Sequence, residues 1–147
     1  STRKESSAAS DVYKRQQLIL DKISYRFSEP QRFDIIVFPF QYAEKTFYVK
    51  RIIGLPGETV QIDLQGNIYI NGQILNEDYG KETINFAGLA VEPITLGDDE
   101  YFVMGDNRNN SSDSRDPSVG NIRRSNIIGK AWVRIWPLNK FGVLKHQ

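Results

Sequence analysis

Short runs of β-branched and aromatic residues, each closed by glycine, proline or asparagine, limit what this chain can become. Phe33-Asp34-Ile35-Ile36-Val37-Phe38 is one such run, stopped by Pro39. Thr46 to Ile53 is a second, stopped by Gly54-Leu55-Pro56-Gly57. Runs this short and branched fill pleated strands rather than helices. Val60-Gln61-Ile62-Asp63-Leu64 alternates apolar and polar, Gln65-Gly66 turns, and Ile68-Tyr69-Ile70 returns to Asn71-Gly72. Asn-Gly suits a type I′ hairpin turn, because both central positions need positive φ; Gln73 to Leu75 continues beyond it. The acidic, looped stretch 76–99 is expected to hold one strand near Val91 to Leu96, followed by a strand from Tyr101 to Met104. Ile127 to Trp136 alternates, with Ala131, Val133 and Ile135 on one face and Trp132, Arg134 and Trp136 on the other. Gln17 to Ile23 fits either a strand or a short helical turn. The chain is predicted to be mainly β, a partly closed antiparallel domain with a long functional loop at 105–121.

Composition narrows the chemistry. The 147 residues carry 19 Lys+Arg against 18 Asp+Glu, too balanced for a nucleic-acid binder. With no cysteine there is no disulfide framework, cysteine-ligated zinc or thiol nucleophile. The only histidine, His146, is next to the last residue, which argues against a Ser-His-Asp triad and a multi-histidine metal site. A hydrolase built on this sequence needs a base other than histidine, and no cofactor is implied.

Residues 1–16 are polar and without useful periodicity, and Ser6 to Gln16 reads as the translation of a sequencing-library adapter. The expectation is a non-native or disordered arm over 1–16, followed by the domain proper over 17–147.

Two segments could hold chemistry. Lys50 stands in Phe47-Tyr48-Val49-Lys50-Arg51-Ile52-Ile53-Gly54, where alternation gives it one strand face with Tyr48 and Ile52. A lysine among apolar neighbours either reaches water with its head or is desolvated, which lowers its pKa. Bringing it from about 10.4 towards 7–8 takes roughly 3–5 kcal/mol of differential solvation. The second segment is Gly105-Asp106-Asn107-Arg108-Asn109-Asn110-Ser111-Ser112-Asp113-Ser114-Arg115. It is either a solvated turn or a functional loop in which Asp113 and Arg115 pair and the Ser111 hydroxyl orients a donor.

Taken in order, FDIIVF, YVKRIIGLPGE and GDNRNNSSDSR resemble the boxes of type I signal peptidases, over roughly residues 20–142 and most closely the short Gram-positive type. The resemblance implies a serine–lysine protease, membrane-anchored with its catalytic domain on the extracytoplasmic side, that removes signal peptides from exported preproteins. Lys50 would be the general base, hydrogen-bonded and oriented by Ser111. Asp113 and Arg115 would form the supporting ion pair, while Gly105, Asp106, Asn107 and Arg108 shape the loop. The lysine strand would pair with the substrate around Tyr48 and Val49, and Val37 and Val49 are candidates for lining the shallow pockets for small residues. Phe33 departs from the glycine that many members carry before the aspartate.

The family's nucleophile, in a Ser-Met-x-Pro-Thr-like box some forty residues before the lysine, has no counterpart: the single methionine is Met104. Ser10 has the wrong neighbours, so this chain is expected to be inactive on its own. The membrane surface is a partner by resemblance, with Trp132, Trp136, Phe38 and Phe40 either facing lipid or packing in the core. Two other readings stand beside this one: a non-catalytic β module that binds extended peptides by strand addition, and a self-cleaving repressor-type Ser-Lys domain.

Overall fold

A computed structural model describes residues 16–77, 79–80 and 83–135. Among the described residues ten strands form two antiparallel sheets. The larger takes β1 (Gln16–Asp21), β2 (Ile35–Pro39), β3 (Phe47–Gly54), β8 (Glu100–Met104), β9 (Ile122–Arg123) and β10 (Gly129–Ile135), in the spatial order β1-β10-β2-β3-β8-β9. The smaller takes β4 (Thr59–Ile62), β5 (Ile68–Ile70), β6 (Gln73–Ile74) and β7 (Ile94–Thr95), in the order β6-β5-β4-β7. The fold is mainly β.

The strand at the centre of this arrangement is β3. From Lys50 to Gly54 every residue is buried, which is why its sequence is nearly continuous rather than cleanly alternating. Alternation still sorts its side chains. Tyr48 and Ile52 join Ile36, Phe38, Tyr101 and Val103 in one core. Ile53 faces the other way, into a second core with Val60, Ile62, Phe102 and Met104 that cements the small sheet to the large one.

Gly54 belongs to β3, not to the turn after it. A Cβ there would stand 2.7 Å from Val60 Cγ2 and 2.9 Å from Leu96 Cδ1, so glycine permits the close approach of β4. The β3–β8 register shifts at this point, between Ile52 and Gly54.

Other expectations shift at element ends. Of the two alternatives for Gln17 to Ile23 the strand is the one formed, over Gln16–Asp21, and a short helix, α1, begins only beyond that stretch, at Ser24–Phe27. Leu64 does not extend β4; it is 90% exposed in the turn that Asp63 organises by accepting the amides of Gln65 and Asn67. The strand expected over Val91 to Leu96 shrinks to Ile94–Thr95, because Gly88–Val91 winds into a 3-10 turn. Asn71 and Gly72 adopt φ of 52° and 82° between β5 and β6, as the hairpin requires. The proposed arm lies, up to residue 15, outside the described residues, as do Ser10, Trp136 and His146.

Before β2 the chain makes a tight turn in which the Asp34 amide donates to Gln31 O and Phe33 takes φ of 73°. Phe33 N donates to Ile52 O and Ile52 N to Asp34 O, both at 2.8 Å. That is the hydrogen-bond pattern of a bulge whose first residue is usually glycine. Phe33 therefore occupies a position that suits glycine, at a conformational cost.

Candidate active site

Lys50 sits in mid-sheet. Its cross-strand partner on β2 is Ile36, and Ile36 in turn faces Lys130 on β10. Burial leaves Lys50 only 2% exposed, with Nζ 5.2 Å from the centroid of the Tyr48 ring. A stem that merely covers apolar surface while its head reaches water would show far more area. Lys130, on the same face, lies 3.4 Å from Asp34 Oδ1 and 4.0 Å from the Trp132 ring centroid. Asp34 also accepts the Tyr25 hydroxyl at 2.6 Å, and burial, reinforced by that hydrogen bond, pushes the Tyr25 phenol far above its usual range.

The 105–115 loop comes to Lys50 through glycine. A Cβ on Gly105 would fall onto Ser111 Oγ and 3.4 Å from Lys50 Nζ. Hydroxyl and amine thus flank one glycine. Ser111 Oγ is buried and forms no hydrogen bond among the described residues, so the direct bond expected between Ser111 and Lys50 is not made.

Buried ion pairs hold this loop. Arg51, next to Lys50 but on the opposite face, grips Asp106 through Nε at 2.9 Å and Nη2 at 2.6 Å, and donates Nη1 to Phe33 O. Asp113 accepts Arg115 Nε at 2.8 Å, Arg115 Nη2 at 2.7 Å and the Gly105 amide at 3.1 Å. Arg108 Nε donates to Gly105 O at 2.8 Å. Ser114 accepts Val103 N on its hydroxyl and donates its amide back to Val103 O, anchoring the loop to β8. With Arg51, Arg108, Arg115, Asp106 and Asp113 all at most 6% exposed, bidentate pairing is what makes their burial tolerable. Asn107, 7% exposed, is packed into the same loop.

The substrate candidates are placed differently. Val37 and Val49 are cross-strand partners, half-buried beside Ile35 and Ala131, on the face away from Lys50. Tyr48 is buried in the core, so only its backbone is available. β3 pairs with β8 only from Arg51 onward, which leaves Phe47–Lys50 without a described strand on that side. Hydrogen bonding at Ile52/Asp34 and Phe40/Thr46 sets the phase of the β2–β3 ladder, and in that phase the Val49 N–H and C=O point to the open side.

Arg51, the steric role of Gly105 and the outward rings escape sequence reasoning. Phe38 is buried and Phe40 packs against the core, while Trp132 is half-buried under Lys130. Among the described residues the rings that do face outward are Tyr42, 71% exposed, and Phe47, 54% exposed, at the end of the β2–β3 hairpin, and Phe86, 59% exposed, between β6 and β7. Among the described residues no group of His, Cys, Asp and Glu is placed to hold a metal, and no helix is long and apolar enough to cross a membrane.

A family profile described as signal peptidase, peptidase S26, matches residues 1–136. The chain belongs to this family. It is 44% identical over 135 residues to a probable signal peptidase I-2 of Synechocystis, covering 87% of this chain and 58% of that protein. A signal peptidase I of Leptolyngbya laminosa is 45% identical, with 87% and 64% covered. Signal peptidase I P of Bacillus subtilis subsp. natto is 36% identical, with 88% and 72% covered. The chain thus spans about three-fifths of the length of the first two of these relatives. The crystal structure of a signal peptidase I from Enterococcus faecalis superimposes with a TM-score of 0.57 at 35% identity, over 70% of this chain and 97% of that one. The mainly β fold, built of antiparallel sheets, matches that signal peptidase I structure.

Proposed function

We propose that this chain is the catalytic β domain of a signal peptidase I, a serine endopeptidase that removes signal peptides from exported preproteins with Lys50 as its base. The observation that carries the reading is a lysine 2% exposed in mid-sheet, beside the glycine that also meets a buried serine hydroxyl. Burial in an apolar wall favours the neutral amine. Neutral Lys50 takes the proton of the nucleophilic serine hydroxyl, and the alkoxide attacks the scissile carbonyl to give a tetrahedral intermediate. The ammonium then gives its proton to the leaving amine, and the amine so regenerated activates the water that hydrolyses the acyl-enzyme.

Ser111 orients the Lys50 amine once the site closes on substrate. Asp113 and Arg115 hold Ser111 in place, and Gly105, Asp106, Asn107 and Arg108 give the loop its path. The preprotein adds as a strand along Phe47–Lys50, bonding to the Val49 backbone, with Val37 and Val49 beside its small side chains. The outward Tyr42 and Phe47 rings suit a membrane surface on the extracytoplasmic side. The nucleophile belongs to a Ser-Met-x-Pro-Thr box that the 147 residues do not contain.

The test is this chain extended upstream by an apolar span and such a box, incubated with a preprotein. Processing after a small residue is expected, lost in Lys50→Met, with none by the 147 residues alone. Processing that survives Lys50→Met refutes the assignment of the base.

A further inference from the structure

Between β6 and β7 the described residues, among them Glu77, Tyr79, Gly80, Phe86 and Leu89, lie against the 105–115 loop and Arg51 and cover the three buried arginines one by one. The Tyr79 ring centroid lies 3.8 Å from Arg51 Cζ, with Phe33 packed against it at 5.0 Å. Glu77 takes Arg108 Nη2 at 2.5 Å, and Gly80 lies so near that a Cβ would come within 3.0 Å of Arg108 Cγ. Arg115 donates Nη1 to Phe86 O at 2.9 Å, and its own carbonyl accepts Leu89 N at 2.8 Å. Gly88, at φ of 56°, has the Arg115 carbonyl where a Cβ would go. At Gly88 this fit leaves room for glycine alone, and at Gly80 an added Cβ would crowd the Arg108 side chain.

We propose that this crossing segment is a positioning element for the Lys50–Ser111 pair, with Tyr79 and Glu77 as its positioning residues. The inference rests on Lys50 being the base of the site. Neither residue needs to touch Lys50. Arg51 fixes Asp106, and Arg108 holds Gly105 O, so the two covered guanidiniums grip the adjacent residues 105 and 106. Gly105 is the point that Lys50 Nζ and Ser111 Oγ share. Cover matters because an ion pair weakens as water enters: the same charges interact several-fold less strongly at the dielectric of water than in a protein interior. Uncovering Arg51 or releasing Arg108 hydrates the pair, loosens residues 105 and 106, and lets water reach the amine. Among the described residues, the charged groups of the strands and loops packed around Lys50 are paired with one another: Arg51 with Asp106, Asp113 with Arg115, Lys130 with Asp34, and Arg108 with Glu77. Loss of cover is therefore read chiefly as hydration of Lys50.

The experiment titrates the lysine side chains of the 147-residue chain by NMR, with the Lys50 signal assigned from Lys50→Met. Wild-type Lys50 is expected to titrate below the ordinary value of about 10.4. Tyr79→Ala and the charge-balanced double variant Glu77→Gln/Arg108→Gln are each expected to raise it by about half to one pH unit. Tyr79→Phe keeps the ring face over Arg51 and is expected to restore the wild-type value. Amide spectra report whether each variant keeps its sheets, and the double variant, which leaves no charge unpaired, decides the matter if Tyr79→Ala does not fold. A depressed wild-type value unchanged in folded Tyr79→Ala or the folded double variant overturns the role of the crossing segment alone. A wild-type value already at about 10.4 overturns Lys50 as base, and this proposal with it.

Discussion

Phe33 offers a test of the backbone that carries Arg51. Its φ of 73° lies in the left-handed region, where an L residue other than glycine, asparagine or aspartate loses about 1–2 kcal/mol. Two kinds of contact offset this. The backbone contacts, Phe33 N to Ile52 O at 2.8 Å and Arg51 Nη1 to Phe33 O at 3.1 Å, persist whatever the side chain. The ring contacts, with Tyr79 at 5.0 Å and with the core beneath the small sheet, do not. For a half-buried ring with one aromatic partner that loss is about 2 kcal/mol. Phe33→Ala loses the ring and keeps most of the strain, so we expect destabilisation of about 2 kcal/mol. Phe33→Gly loses the same ring and sheds the strain, at a cost of about 0.5–1 kcal/mol in unfolded-chain entropy. Glycine should therefore be more stable than alanine by about 0.5 kcal/mol, against the usual order. Urea unfolding of the three proteins at matched m-values gives the comparison. Alanine equal to or more stable than glycine refutes the left-handed bulge.

Gly105→Ala places a methyl group on Ser111 Oγ. It is expected to cost about 1–3 kcal/mol by overpacking and to push the 105–115 loop off the lysine; thermal unfolding together with a crystal structure of the variant checks both, and an unmoved loop sinks the close-approach argument. Tyr25 predicts an alkaline limit. Burial and the bond to Asp34 raise its folded pKa, so its contribution is complete below about pH 10, where the unfolded phenol begins to ionise, and is lost as pH rises further. Tyr25→Phe should flatten the fall in stability above that pH, leaving the part due to Tyr101, whose phenol burial also raises; an unchanged slope in a pH series of unfolding curves rules Tyr25 out as its source.

The strands were legible where composition and period agree. Phe33 to Phe38 and Thr46 to Ile53 hold enough branched residues that little but a buried strand suits them, and β2 and β3 fall there. Sequence misleads where tertiary contacts reassign a residue. Gly54 looks like a turn residue, yet its missing side chain makes room for Val60 and Leu96 within a strand. Leu64 has the phase of a core residue and lies in solvent, because Asp63 captures two amides and turns the chain first.

At the site the division is sharper. Periodicity alone places Lys50 beside Tyr48 and Ile52, but such a lysine ordinarily escapes to water, and nothing within eight residues of it says otherwise. What closes that escape is a glycine 55 residues later in the chain, next to an aspartate that Arg51 grips from the opposite face of the same strand. Arg51 also shows why adjacent basic residues are not interchangeable. Its planar fork satisfies two carboxylate oxygens and a carbonyl at once, which a lysine ammonium does not match. The segment over the arginines is read no better, since Phe86 and Leu89 serve it through their backbone groups, while Glu77 and Tyr79 meet arginines far away in the sequence. A site assembled from backbone carbonyls and missing side chains leaves few letters to read, so the motifs reveal the lysine and its loop while the contacts that press them together emerge only in three dimensions.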